Sequence, residues 1–164
     1  MMISEAMAAK LNQQVKEEFN SYWIYLAMSY QLHSMGLKGF AKWFELQAGE
    51  EQTHAVKIAH YMIEQGAHVK LLALETPKSD YASVQDICLE ALNHEKKITR
   101  LINEIIDLAN KENDHATNSY MSWFVDEQVE EVSNATQLVD MVKLAPEKWQ
   151  LMMIEGRIFE IRKD

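Results

Sequence analysis

Residues 48 to 57 read AGEEQTHAVK, and two of them decide how the surrounding helix is interpreted. Glu51 and His54 stand three residues apart in a stretch with the composition of an amphipathic helix, so they share one of its faces. If that face meets water, both side chains are ordinary surface groups. If it meets the core, each needs a partner, because burying an unpaired charge is strongly unfavourable. The direction of this face therefore bears on both the fold and the chemistry.

The composition is that of a helical protein. The chain has 164 residues, 48% of them hydrophobic, and only two prolines and five glycines interrupt it. Ala, Leu, Met, Glu, Lys and Gln dominate, and these are strong helix formers. A chain of this length suits one domain with a sizeable core. We therefore expect an all-α protein with a single domain over residues 1–164.

The charge balance excludes several kinds of partner. Acidic residues outnumber basic ones 25 to 16, and the resulting formal net charge of −9 repels nucleic acid and anionic lipid while attracting cations. The opening MMISEAMAAKL has a glutamate where a signal peptide needs an apolar run, and no segment has the apolar length of a membrane span. The single cysteine, Cys88, cannot form an internal disulfide. We expect a cytoplasmic protein that binds neither nucleic acid nor membrane.

Breaks in the helical period divide the chain into five helices and one long connection. Gly36, Gly66 and Pro146 mark helix ends, and residues 66–83, which contain Pro77, lose the period altogether. The long helices are predicted at about residues 4–33, 38–65, 84–110 and 115–144, and a short fifth helix at about 147–162. A connection of this length can cross a whole bundle. The sequence thus predicts a four-helix bundle with one long crossover connection and a short C-terminal fifth helix.

The core-facing positions of each long helix follow from the alternating three- and four-residue spacing of coiled-coil-like bundles. The seam of positions defined in this way is polar near its middle in all four helices. In the second helix the seam includes Glu51 and His54, so both are expected to face inward. The inward polar groups that lie at about the same height are Glu18, Glu51, His54, Glu95, Gln128 and Glu131.

Four carboxylates in one dry layer repel one another and raise each other's pKa, and a multivalent cation removes that conflict. Oxygen-rich ligands with one imidazole suit two transition-metal ions such as iron better than zinc, which prefers tetrahedral nitrogen and sulfur ligands. One carboxylate from each of two helices, with a Glu-x-x-His motif on another, is close to the di-iron carboxylate arrangement. Each residue alone is ordinary on a helix, and only their matched depths indicate a metal site.

Several motifs resemble those of the bacterial non-haem ferritins, over essentially the whole chain. They are KEEFNSYWIY with Glu18 and Tyr25, GEEQTH with Glu50, Glu51 and His54, NHEKKIT with Glu95, and SWFVDEQVEE with Trp123, Glu127, Gln128, Glu130 and Glu131. The resemblance implies a ferritin-like fold and a homo-oligomeric cage of twenty-four subunits. It also implies a ferroxidase, which oxidises Fe(II) with O2 or H2O2 and stores ferric mineral in the hollow centre.

Roles for individual residues also come from the resemblance. The resemblance implies that the first iron is bound by Glu18, Glu51 and His54. It implies that the second iron is bound by Glu51 as a bridge, Glu95 and Glu131, with Gln128 alongside. The resemblance also implies a third iron nearby, bound by Glu50, Glu127 and Glu130. On sequence alone these three residues are expected to be exposed acids. Tyr25 lies seven residues after Glu18 on the same face, and the resemblance gives it a role in electron supply, assisted by Trp123.

Haem is not expected. Bacterioferritins have a second Glu-x-x-His in the fourth helix, where this chain has Gln128 and Glu131 at the corresponding spacing. They also carry a haem-ligating methionine directly after the equivalent of Glu51, where this chain has Gln52. Two other functions stay open: a di-iron oxidoreductase or peroxidase of the same superfamily that stores no iron, and a metal-free helical bundle with a structural or binding role.

The predicted fifth helix, PEKWQLMMIEGRIFEIRK, has too many apolar residues for a solvated tail. We expect a neighbouring subunit or another protein partner to cover it. Gly156 lies inside this helix and weakens it by roughly 1 kcal/mol. The sequence offers no reason for a glycine at this position.

Overall fold

The computed structural model describes residues 2–162 and is built from helices. They are α1 (Glu5–Ser34), α2 (Lys38–Glu64), α3 (Val84–Glu112), α4 (His115–Lys143) and α5 (Lys148–Ile154), followed by a 3₁₀ turn at Ile158–Ile161. The described part of the chain contains no β-strand. The predicted fold class is confirmed: an all-α four-helix bundle with one long crossover and a short C-terminal helix.

Local sequence explains where the long helices begin and end. The side chains of Ser4, Ser83 and Asp114 accept hydrogen bonds of 2.9–3.1 Å from backbone amides three residues further on. Such caps satisfy amides that have no partner inside the helix. Beyond α1 and α2 the chain turns through Gly36 and Gly66, whose φ angles of 77° and 72° are readily adopted only by glycine.

Three side-chain amides of α1 hold the long crossover between α2 and α3. Asn12 accepts a hydrogen bond of 2.6 Å from the backbone amide of residue 70, and Asn20 accepts one of 3.0 Å from that of residue 75. Gln31 both accepts from and donates to the backbone of Tyr81, at 2.9 and 2.7 Å. Residues later in the crossover bind residues later in α1, so the crossover runs in the same direction as α1. It therefore ends near the end of α1, which is where α2 begins, and α3 starts beside the start of α2. Helices α2 and α3 are therefore parallel.

Buried apolar side chains form two clusters, one towards each end of the bundle. One cluster includes Leu32 and Phe40 with the C-terminal segment, and the other includes Met7, Ile58 and Ile105. Polar side chains at mid-length of the four helices separate the two clusters. Within residues 2–162, no helix combines the length and apolar character needed to cross a membrane.

The C-terminal segment differs from the continuous helix expected at about 147–162. Helix α5 ends at Ile154, and the chain turns through Gly156 before the 3₁₀ turn. At the break, the Glu155 carboxylate accepts a hydrogen bond of 3.1 Å from the backbone amide of Gly39, in the first turn of α2, which has no side-chain cap of its own. A Cβ on Gly39 would lie 2.8 Å from that of Glu155. The segment therefore folds back onto α2 instead of continuing as a helix.

Candidate metal centre

A polar layer crosses the middle of the bundle between the two apolar clusters. The structure buries all six side chains expected there, with exposed fractions of 1–4%: Glu18, Glu51, His54, Glu95, Gln128 and Glu131. Tyr25 is also buried, with 1% of its surface exposed. Each long helix contributes at least one carboxylate to this layer. Glu51 and His54 face inward, and their partners are other side chains of the same layer.

Three of these side chains form a compact group. Ligand atoms of Glu18, Glu51 and His54 all lie within 4.8 Å of one another. His54 Nδ1 is 3.2 Å from Glu51 Oε2 and 4.0 Å from Glu18 Oε2. Glu18 Oε1 accepts a hydrogen bond of 2.7 Å from Gln14, but its buried Oε2 has no hydrogen-bond partner. A buried oxygen without a partner is rare in a protein and is suited to a metal ion.

The opposite side of the layer is organised around Glu95. The Tyr25 hydroxyl donates a hydrogen bond to Glu95 Oε1, and the Gln128 amide lies 3.1 Å from Glu95 Oε2. The same Gln128 nitrogen is 3.1 Å from the Thr99 hydroxyl oxygen. Both oxygens of this carboxylate are thus held in place by donors from α1 and α4.

A buried amide links the two sides. Gln47 Nε2 lies 2.7 Å from Glu131 Oε2 and 3.3 Å from Glu51 Oε1, so one donor group spans two carboxylates on different helices. No role was predicted from the sequence for Gln47 or Gln14. A signal for both was present, because each stands four residues before a layer carboxylate and therefore one helical turn away on the same face.

The electrostatics of the layer resist four negative charges. Burial raises the pKa of Glu18, Glu51 and Glu131 well above the ordinary value of 4.5. Repulsion adds to burial: Glu51 acts on Glu18, and Glu95 acts on both Glu51 and Glu131. Burial and then the charge of Glu95 also raise the pKa of Tyr25. A cation bound between the carboxylates would favour their ionised forms and oppose this rise in pKa.

The three acids expected to hold a third ion lie at the margin of this layer. Glu50 is exposed, and Glu127 and Glu130 are half-buried. Glu127 Oε1 is 3.9 Å from His54 Nε2, and its pKa is raised by burial and by the charges of Glu130 and Glu50. Among residues 2–162, these three acids do not form a compact group like the one that contains Glu18, Glu51 and His54. Glu50 is instead paired with Arg162, a residue that no sequence pattern singled out.

Trp123 lies beside the imidazole. Its ring centroid is 5.5 Å from that of His54, and the two ring planes cross at 76°. Lys57 Nζ lies 3.7 Å from the centroid of the Trp123 ring. The indole is 39% exposed, whereas His54 is 4% exposed. Trp123 therefore separates the imidazole from solvent. The role of Trp123 in electron supply stays a prediction.

The chain is similar in sequence to known ferritins. A family model described as Ferritin, the ferritin-like domain, matches residues 8–145. A bacterial non-heme ferritin of Staphylococcus aureus is 36% identical over 132 residues, 80% of each chain. One of Bacteroides fragilis is 33% identical over 144 residues, which cover 88% of this chain and 91% of that protein.

Solved structures give the same result. The crystal structure of an open pore ferritin from the hyperthermophilic archaeon Archaeoglobus fulgidus matches with a TM-score of 0.94 and 36% sequence identity. The match covers 98% of this chain and 99% of that one. A closed form of the same ferritin, engineered by site-directed mutagenesis, matches with a TM-score of 0.93 and 35% identity.

Proposed function

This chain belongs to the ferritin family, and on that premise we propose that it oxidises Fe(II) at a di-iron centre within each subunit and stores the ferric product as mineral. Ferritins in general store iron and act as ferroxidases. The observation that carries the proposal for this chain is the buried group of Glu18, Glu51 and His54, inside a layer of four carboxylates.

The first Fe(II) is bound by the compact group. Glu18 and His54 supply one ligand atom each, and Glu51 shares its carboxylate with the second ion. Support comes from the orphaned Glu18 Oε2, which lies 4.0 Å from His54 Nδ1 and gains a partner when a cation binds between them. Oxygen ligands with a single imidazole suit iron.

The second Fe(II) is bound by Glu95 and Glu131 together with the bridging Glu51, and Gln128 lies alongside. Gln47 supports this assignment, because its amide already spans Glu51 and Glu131 and so holds the two carboxylates in one region. Two divalent ions supply four positive charges, which balance the four carboxylates of the layer. The balance explains why a stable bundle can contain so many buried acids.

Oxidation removes one electron from each Fe(II). Two electrons with two protons convert O2 to H2O2, or H2O2 to two waters, so either oxidant balances the conversion of two Fe(II) to two Fe(III). Anionic oxygen ligands favour the ferric state and therefore assist the electron transfer. Tyr25 donates a hydrogen bond to Glu95 at the edge of the centre. Reduction of O2 to two waters takes four electrons: in this proposal the di-iron pair supplies two, a third Fe(II) supplies one, and Tyr25 supplies the fourth together with its hydroxyl proton, becoming a neutral tyrosyl radical.

Glu50, Glu127 and Glu130 bind a third iron beside the di-iron centre. Support comes from the charges of Glu130 and Glu50, which lie close enough to add to the effect of burial and raise the pKa of Glu127. Copies of the chain assemble into a cage of twenty-four subunits in the cytoplasm, and the mineral forms in its hollow. The net charge of −9 favours the approach of Fe(II).

Aerobic loading with Fe(II), followed by gel filtration and iron analysis, tests storage and assembly together. Many irons per chain on a very large species are expected. About two irons per chain or fewer on a small oligomer would instead support a di-iron enzyme that does not store iron, and an iron-free protein would support a structural bundle.

His54→Ala and Glu51→Ala test the centre itself. Both variants should lose rapid Fe(II) oxidation and keep the fold, because removing a buried charge need not destabilise a bundle. His60→Ala is the matched control, since His60 lies on the same helix and is exposed. Stopped-flow absorbance of the ferric product gives the rates, and wild-type rates in both site variants would contradict the assigned centre.

A further inference from the structure

Arg162 reaches from the C-terminal segment to the edge of the polar layer. One guanidinium nitrogen lies 3.1 Å from Gln47 Oε1, and another forms an ion pair with Glu50. The guanidinium carbon is 5.3 Å from the ring centroid of Trp43. Only 14% of the arginine side chain is exposed, so it is not a freely moving surface group.

The position of this arginine follows from how its segment is attached. Glu155 binds the first turn of α2, and Ile158 and Ile161 are buried in the apolar cluster at this end of the bundle. The 3₁₀ turn contacts α2 and α4, which are the helices that carry Glu50 and Glu131. The attached segment therefore carries the guanidinium directly to the outer side of the layer.

The contact with Gln47 fixes the direction of a group inside the layer. An amide has one acceptor and one donor end, and Arg162 can only donate. With its oxygen turned towards Arg162, Gln47 has to present its NH2 group to Glu51 and Glu131, as observed. Arg162 acts on the di-iron carboxylates through this amide, without touching them, as a positioning residue.

The contact with Glu50 has a different consequence. A carboxylate oxygen engaged by a guanidinium cannot at the same time bind a metal ion along the same direction. This pairing also accounts for the observation that Glu50, Glu127 and Glu130 are not gathered into a compact group among the described residues.

We propose that Arg162 is a built-in counter-ion of the outer acidic site, which occupies Glu50 until a third Fe(II) displaces it. While it is bound, it neutralises Glu50 and keeps Gln47 oriented towards the inner carboxylates. When the third ion binds, the guanidinium leaves Glu50 and the C-terminal segment loses one of its attachments. The inference rests on the proposed function, because it needs the inner centre and the outer acids to bind iron.

Anaerobic Fe(II) titration tests this competition without any oxidation step. Equilibrium dialysis gives the number of ions bound and the affinity of each. In Arg162→Gln the third ion should bind about tenfold more tightly than in the wild type, because it no longer displaces a charge-assisted contact. The two inner ions should bind in both proteins. Arg162→Lys, which keeps the charge but not the fork geometry, should lie between them.

Arg157→Gln is the matched control, since Arg157 lies in the same segment and forms an exposed ion pair with Glu160 at 4.0 Å. It should bind iron as the wild type does. A second measurement is the fluorescence of Trp43, whose ring lies beside Arg162. The third equivalent of Fe(II) should change the emission of the wild type more than that of Arg162→Gln. Trp43→Phe should remove this difference.

The possible results separate the two proposals. If the wild type binds two inner ions and the third-ion affinity of Arg162→Gln is unchanged, the role of Arg162 is wrong and the proposed function is unaffected. If the wild type binds no Fe(II), both proposals are wrong. A tighter third ion in Arg157→Gln as well would show a general effect of charge, and would also overturn the specific role of Arg162.

Discussion

Buried side-chain amides hold the carboxylates of the polar layer. Gln14 donates to Glu18 and Gln47 donates to Glu51, each across one turn of its own helix. Gln47 also donates to Glu131 on α4, so its single NH2 group connects carboxylates of two helices. Groups that orient metal ligands in this way typically change affinity or activity by about 10- to 100-fold when they are removed.

Gln47→Leu should therefore slow Fe(II) oxidation by at least about tenfold. Leucine has a similar volume but no donor, so Glu51 and Glu131 lose their shared contact while the packing is kept. Stopped-flow absorbance gives the rate, and circular dichroism checks the helix content. Gln52→Leu serves as the control, because Gln52 is exposed on the same helix. Equal rates in the two variants would show that the Gln47 amide does not orient the carboxylates.

The raised pKa values of the layer have a consequence for the metal-free protein. In the folded state Glu131 keeps its proton at pH values above the ordinary 4.5, because of burial and the charges of Glu95 and Glu51. The unfolded chain releases that proton at about 4.5. Above this pH the folded state binds more protons than the unfolded state, and the free energy of unfolding falls as the pH rises.

Glu131→Gln should raise the melting temperature of the metal-free protein, and the gain should increase from pH 5 to pH 8. Glutamine resembles the protonated acid, so the two proteins should melt alike near pH 5 and diverge as Glu131 is forced to ionise. Calorimetry in the presence of a chelator measures the effect. Asp140→Asn, a change at an exposed acid of the same helix, should show no comparable gain. A pH-independent difference for Glu131→Gln would contradict the raised pKa.

The helices show how much of the molecule periodicity can predict. The alternating three- and four-residue spacing predicted that Glu51, His54 and Glu131 face the core, and all three side chains are buried. The prediction succeeds because the packing of long helices follows this spacing closely. Glu50 and Glu127 lie off the seam and came only from the resemblance to ferritins. Their role as ligands stays a prediction, as does that of the inner residues.

The contacts that periodicity missed join segments far apart in the chain. Arg162 meets Gln47 across 115 residues, and Glu155 meets Gly39 across 116. No local sequence pattern predicts these contacts, because they depend on where the C-terminal segment lies once the helices have packed. The break at Gly156 was missed for the same reason. Helix α5 ends just before Glu155, whose carboxylate binds the start of α2.

The crossover depends on few residues, and Gln31 makes two of its hydrogen bonds. Gln31→Ala should expose the backbone of Tyr81 and loosen the end of the crossover, with faster hydrogen exchange at residues near 81. Losing these bonds should destabilise the local structure by about 1–3 kcal/mol. Gln13→Ala is the control, since Gln13 is exposed on α1 and donates a hydrogen bond to Glu17 of the same helix. Unchanged exchange in Gln31→Ala would show that the crossover is held by other contacts.

The subunit as a whole exposes an apolar surface at the end that carries α5. Leu144, Trp149 and Met153 are 83%, 61% and 72% exposed, and they border a groove of about 630 Å³ between α4 and the C-terminal segment. Exposed apolar surface of this kind on one side of a protein is typical of contact with another molecule. In the proposed cage, the molecule that covers it is a neighbouring subunit.

Met153→Glu should prevent assembly of the cage and leave the subunit folded. The side chain is exposed in the subunit, so the charge has no cost there, whereas at a subunit contact it would be buried without a partner, at several kcal/mol per copy. Sedimentation velocity should show the wild type as a very large species and the variant as small oligomers of unchanged helix content. Met153→Gln, polar but uncharged, should assemble more fully than Met153→Glu. If Met153→Glu assembles as the wild type does, this surface lies outside the subunit contacts, and its apolar character requires a different partner.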